Sequence, residues 1–137
     1  MTIFDGLTFH VDDIKDKDRL NKMIEEEAIR IHQSDEARNG RSLNQIRESV
    51  RQGKVAELYL IENYEYEEAG ISWHDLVDPE GIYTEVKAYK IWDENAPQVA
   101  KDLKRYRSIS KFQSKWYILF SVNENFYKFI AKIKIKD

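Results

Sequence analysis

The chain has 137 residues, enough for one domain with a single buried core and too few for two. Hydrophobic residues make up 42% and charged residues 34%, with only 2 Pro and 5 Gly, which excludes a disordered or collagen-like chain. With 0 Cys there is no disulfide framework, zinc ribbon or thiol nucleophile, so any metal must be held by oxygen or by the three His.

Met1 to His10 mixes polar and apolar side chains around Asp5 and lacks the basic start and apolar run of a signal peptide. No stretch reaches the roughly 18 apolar residues of a membrane span, so a cytoplasmic protein with no membrane partner is expected. The net charge of −3 conceals an asymmetry: residues 1–85 hold 20 acids and 10 bases, residues 86–137 hold 5 and 12. Such a basic half either solvates one face or forms a footprint for phosphates.

In chain order, Leu20, Met23, Ile24, Ala28 and Ile31 share one helical face and predict a first helix over 16–33, with Asp18 as its cap. After a polar loop at 34–40, Ser42 caps a second helix that runs to about Asn63, with Leu43, Ile46, Val50, Leu58 and Ile61 apolar. Glu62 to Glu68, where Tyr64 and Tyr66 stand between acids, reads as a solvated loop that repels nucleic acid. Ala69 to Val77, with Ile71, Trp73 and Leu76 apolar, reads as a strand, Asp78-Pro79-Glu80-Gly81 as a turn and Ile82 to Trp92 as a second strand. Residues 69–92 are therefore expected to form a hairpin.

Asp93-Glu94-Asn95 followed by Pro97 predicts the start of a third helix reaching about Arg107, with Val99, Ala100, Leu103 and Tyr106 inward. Trp116 to Val122 reads as a third strand, Asn123-Glu124-Asn125 as a turn and Phe126 to Ile135 as a fourth strand. In that strand Phe129, Ala131, Ile133 and Ile135 alternate with Ile130, Lys132, Lys134 and Lys136. No repeat or linker divides the chain. The expected order is α-α-β-β-α-β-β, one α/β or α+β domain over 1–137 with a central mixed sheet flanked by helices. Residues 1–40 form a helical extension, 41–122 the core and 123–137 a terminal strand.

Four residues carry chemistry: Glu57, Asp75, Glu85 and Lys87. Glu85 and Lys87 lie two apart in a predicted strand and so point the same way. Asp75 precedes the turn, and hairpin pairing brings it across from Glu85. Two carboxylates so placed repel, and a divalent cation such as Mg²⁺ removes that conflict. Lys87 beside them can orient or deprotonate a water and stabilise charge on an attacked phosphate. An acid-x-Lys triplet alone carries no information, since about 2.6 are expected by chance in this composition. Three occur, at Asp13, Glu85 and Asp102, and only the second sits in a strand after a turn with an Asp on the preceding strand. Glu57 falls on the apolar face of the second helix with Ile46, Val50, Gly53, Leu60 and Ile61, aimed at the core. The bland alternative leaves its head in water or paired with Lys54.

These residues resemble the PD-(D/E)xK nuclease superfamily of restriction-endonuclease-like fold. Glu57 matches its helix acid, Asp75 of Trp73-His74-Asp75-Leu76-Val77 its hairpin Asp, and Glu85 and Lys87 its Glu-x-Lys pair. The chain departs from the pattern in having His74, not Pro, before the Asp. Asp78 is a rival for the hairpin Asp, although Pro79 and Gly81 place it more naturally in the turn. The resemblance implies that 41–122 is a catalytic core in which Asp75, Glu85 and Glu57 hold Mg²⁺ or Mn²⁺. It also implies phosphodiester hydrolysis, with DNA as the expected substrate. Gln98 resembles the Gln of RecB-like members, without a Tyr at the companion spacing.

His10, His32 and His74 share no ligand spacing. Gly81-Ile82-Tyr83 lacks the second half of a GIY-YIG motif. Lys90, Lys101, Lys104, Arg105, Arg107 and Lys111 are candidate phosphate contacts, with Lys101, Lys104 and Arg105 on one helix face. A single domain holds one such centre, so cutting both strands of a duplex requires a homodimer or two successive nicks. The alternative is a non-catalytic protein on the same scaffold that binds nucleic acid or inhibits a partner.

Overall fold

The structure, a computed structural model, describes residues 2–70, 75–90, 92–110 and 112–136, and only the backbone of 92–97. Its elements are β1 (Thr8–His10), a 3-10 turn (Val11–Asp13), α1 (Lys17–His32), α2 (Asp35–Arg38), α3 (Leu43–Tyr64), β2 (Glu67–Glu68), β3 (Leu76–Val77), β4 (Tyr83–Tyr89), α4 (Trp92–Ser108), β5 (Trp116–Asn123) and β6 (Phe126–Lys134).

The helix that carries Glu57 is started and stopped by its own sequence. In a capping box, Gln45 N–H donates to Ser42 Oγ at 3.2 Å and Ser42 N–H donates to Gln45 Oε1 at 2.8 Å, satisfying two otherwise orphaned donors. Glu65, in the left-handed conformation at φ 61°, ends it. The cap of α1 is Asp16, accepting from Arg19 N–H at 2.9 Å, and not the expected Asp18. Glu62 of α3 determines this start: its two carboxylate oxygens accept the N–H groups of Lys15 and Asp16, each at 2.8 Å, so the chain is pinned just ahead of Lys17.

The six described strands form one sheet in the order β1-β6-β5-β4-β3-β2, with β4 and β5 parallel and every other pair antiparallel. Parallel neighbours need a crossover, and α4 supplies it. The result is the expected α+β domain with a mixed sheet between helices, but with a different element order. A strand, β1, precedes the first helix, a short α2 follows it, and β2 lies where a solvated loop was expected. Tyr66, between the acids of that segment, is 4% exposed and belongs to the core.

The strand expected to reach Trp92 ends at Tyr89, and the helix expected from Asn95 begins at Trp92. The paired part of β4 ends opposite Ser121, and the chain then leaves the sheet for its crossover. Residues 71–74, with Ile71, Trp73 and His74, lie outside the described residues, as do the side chains of the Asp93–Asn95 cap and Lys111.

Each face of the sheet covers its own core. One contains Val55, Ala56, Leu58 and Leu60 of α3 against Val86, Ile118, Phe120 and Val122, joined by Phe4, Phe9, Ile14, Leu20, Met23 and Ile24 from the first 40 residues. The other holds Val99 and Tyr106 of α4 against Tyr117, Leu119 and Ile135. The period of two in β5 feeds both cores in turn. In β6 the alternation is interrupted: Leu119 pairs with Ala131 and Phe120 with Phe129, leaving Ile130 as the extra residue of a bulge. Phe129 consequently faces the α3 side, whereas Ile133 and Ile135 face the α4 side, and they do not share the single face that the sequence suggested. No helix among the described residues is long and apolar enough to cross a membrane.

Candidate active site

The turn between β3 and β4 sets the register. Asp78 Oδ1 accepts the N–H groups of Glu80 and Ile82, each at 2.9 Å, and Gly81 takes φ 82°, a conformation that favours glycine. Asp78 therefore serves the turn. Pairing of Leu76 with Thr84 and Val77 with Tyr83 extends, one step on, to Asp75 opposite Glu85. The two acids are tied reciprocally: Asp75 N–H donates to Glu85 Oε2 at 3.0 Å, and Val86 N–H donates to Asp75 Oδ2 at 2.9 Å.

Strand alternation places Glu85 and Lys87 on the α4 side with Tyr89, while Val86 faces α3. Glu57 approaches from α3, so the expected quartet meets around the edge of β4, where β3 contributes only two described paired residues. A cleft of about 280 Å³ opens there, lined by Glu27, Lys54, Glu57, Asp75, Lys87 and Tyr89, with Ser49, Val50, Gly53, Val86 and Ala88. Three of the four expected residues line it. Glu85 does not, and is buried at 4% exposure behind Asp75.

Burial followed by the charge of Asp75 pushes the Glu57 carboxyl up to about 8, and Lys54, whose Nζ is 3.3 Å from Glu57 Oε1, draws it back in part. The same two causes push Glu85 up to about 8, against the N–H of Asp75 and the charge of Lys87. Burial works to deprotonate Lys87, but Asp75, Tyr106, Glu85 and Tyr89 together outweigh it and hold the ammonium charged. Lys87 is therefore a cation that can orient water or face a phosphate, and not a ready base.

Among the described residues no group of three or more carboxylate or imidazole side chains is gathered as a ligand set. Each acid instead has a partner of its own: an N–H for Asp75 and Glu85, an ammonium for Glu57. The donors are all hard oxygens, and Mg²⁺ is commonly held by only one or two carboxylates with water and phosphate completing its shell. Glu57 and Asp75 bring oxygen donors of that kind to the cleft.

Glu27 and Lys54 enter the cleft without having been singled out as site residues. Glu27 interrupts the apolar stripe of α1 between Ile24 and Ile31 just as Glu57 interrupts that of α3, so the same signal was present. Arg30 holds the Glu27 carboxylate through two hydrogen bonds. Tyr89 is positioned by a network across the α4 core: its hydroxyl donates to Asp102 Oδ2 at 2.7 Å, Tyr117 donates to the same oxygen at 3.2 Å, and Gln98 Nε2 donates to Oδ1 at 2.9 Å. Gln98 is thus committed to Asp102.

Lys90, Lys101, Lys104 and Arg105 are exposed. Arg107, also exposed, donates to the carbonyls of Ile135 and Lys134 at 3.2 and 2.9 Å, tying the end of α4 to the sheet. His10 caps the 3-10 turn by accepting Asp12 N–H on Nδ1. Compared with protein-family models, curated proteins and solved structures, the chain matches none.

Proposed function

We propose that the chain is a divalent-cation-dependent nuclease of restriction-endonuclease-like fold, most simply a DNA endonuclease. The observation that carries this reading is the convergence of Glu57, Asp75 and Lys87 on one cleft, with Glu85 locked to Asp75 behind it. The order α3-β3-β4-α4-β5, with the acids on the helix and hairpin, supports the fold assignment. Asp75, Glu85 and Glu57 would hold Mg²⁺ or Mn²⁺, which supplies charge neutralisation on the phosphate and activation of water.

Hydrolysis adds the oxygen of water to phosphorus, breaks one phosphorus–oxygen ester bond and gives a proton to the leaving oxygen. Lys87, held charged, orients the water and faces the negative charge that grows on the phosphate. Lys90 at the end of β4 and the exposed Lys101, Lys104 and Arg105 of α4 would hold the backbone of the nucleic acid. Duplex cleavage would need a second copy of the chain or two nicks.

A second reading, a non-catalytic binding protein, is favoured by two observations: Lys54 already occupies one oxygen of Glu57, and among the described residues no three-acid set is gathered. Incubation with supercoiled, linear and single-stranded DNA in Mg²⁺, Mn²⁺ or EDTA separates the two. The nuclease cuts at least one form only with the cation. A binding protein retains DNA and cuts none.

A further inference from the structure

Lys54 lines the cleft beside Glu57. It projects from α3 one turn ahead of Glu57, its side chain is 18% exposed, and its Nζ lies 3.3 Å from Glu57 Oε1. Glu57 has no other hydrogen-bond partner among the described residues, and its second oxygen faces Gly53, 3.9 Å from where a β-carbon would stand. Asp75 and Glu27 also act on Lys54 through their charges, so the ammonium faces acids on α1, on α3 and just ahead of β3. On the opposite wall Lys87 is within the field of Asp75 and Glu85, yet no carboxylate oxygen among the described residues comes within ion-pair distance of it. The two lysines thus differ in kind: Lys87 is poised toward the cleft, whereas Lys54 is spent on Glu57.

We propose that Lys54 is a built-in counter-ion: its ammonium and a divalent cation compete for Glu57, so Lys54 sets the cation concentration at which the cleft loads. The proposal rests on the cation-binding reading above and names the group that tunes it. A divalent cation beside Glu57 would face the ammonium at a few ångströms, and two positive charges there repel in any dielectric. Loading therefore requires Lys54 to swing away, and the released ammonium becomes a third cation, with Lys87 and the metal, available to a phosphate.

The test measures Mn²⁺ binding to the full-length chain without nucleic acid, by electron paramagnetic resonance of the free ion at pH 8. It compares wild type, Lys54→Met, Lys54→Arg and Asp75→Ala, each checked for fold by circular dichroism. The proposal predicts that Lys54→Met binds Mn²⁺ about tenfold or more tightly than wild type, the size expected for removing one nearby like charge. Lys54→Arg should stay close to wild type, and Asp75→Ala should lose binding. Should Lys54→Met bind no more tightly than a wild type whose binding depends on Asp75, the counter-ion is overturned and the metal site stands. Absence of Asp75-dependent binding in both wild type and Lys54→Met overturns the metal site, and the proposal with it. A second measurement needs no variant to fold: in a Mg²⁺ titration of the wild type, the nuclear magnetic resonance signal of the Lys54 side chain should move with the same midpoint as cation binding. A signal that stays fixed through saturation contradicts the competition.

Discussion

Asp75 is bound from two sides and charges the whole cleft. Its carboxylate takes the Val86 N–H, its own N–H goes to Glu85, and its charge adds to burial in raising both Glu57 and Glu85. Those two carboxyls stand at about 8 in the folded chain against 4.5 as the ordinary value. Between these limits the folded state holds protons that the unfolded state has released, so their contribution is complete below pH 4.5 and is lost as pH climbs through about 8. In EDTA the melting temperature should therefore fall from pH 5 to pH 9. Asp75→Asn, which removes the charge and keeps the shape, should flatten the fall; a variant curve parallel to wild type would contradict the coupling. Lys87→Ala should reduce cleavage by about 10²- to 10³-fold, the usual worth of one preorganised group facing charge in the transition state, without changing the circular dichroism spectrum. At this scale the sequence was informative where an acid broke an apolar stripe. Glu57 was found that way, and Glu27 carries the same signature on α1. The pairing of Asp75 with Glu85 followed from counting back from the Asp78 turn. The pairing of Glu57 with Lys54 was legible as the bland alternative, but that the pair shares one cleft with Asp75 and Lys87 was not, because a spacing of three on a helix gives proximity and says nothing of what else surrounds the pair.

Among the elements, α4 is held to the sheet by a buried polar knot at Asp102, 6% exposed and accepting from Tyr89, Tyr117 and Gln98. Asp102→Ala strands two tyrosine hydroxyls and should cost about 2 kcal/mol or more in urea unfolding. Because Tyr89 lines the cleft, the variant should also weaken cleavage beyond what its lost stability explains. A destabilisation within experimental error would show that the knot carries little. Ser42→Ala removes half of the α3 capping box and should cost about 1 kcal/mol. Helices α1 and α3 were readable to within one residue at each end from their 3.6-residue stripes. Strand β1 was not, since three residues are too few to display a period, although its central residue Phe9, like Phe4 ahead of it, is buried. Nor was the bulge in β6: the sequence alternates evenly through Phe129 and Ile133, and only the pairing with β5 reveals that the face changes between them.

For the molecule as a whole, the surplus of acids in residues 1–85 and of bases in 86–137 falls on different parts of the fold. The exposed Lys101, Lys104 and Arg105 lie on α4, the helix that covers one side of the sheet, and the acids Glu67 and Glu68 lie on edge strand β2. If α4 holds the backbone, changing those three residues to Ala should lower the slope of log affinity against log salt by about one per lost contact. An unchanged slope would move the nucleic acid elsewhere. The central mixed sheet and its helices were legible from the sequence, but the strand order was not, because a hydrophobic pattern does not say which edge β1 joins. The cleft could be placed only once α3 and β4 were seen to meet beside Asp75.

The most direct measurement is the initial rate of DNA cleavage in Mg²⁺ by wild type, Asp75→Ala and Lys87→Ala, purified in parallel and matched for circular dichroism and melting temperature. A single catalytic centre at this cleft predicts cleavage by wild type that EDTA abolishes and that both variants lose. Cleavage retained by either variant, or no cleavage of any DNA form by the wild type, would contradict it.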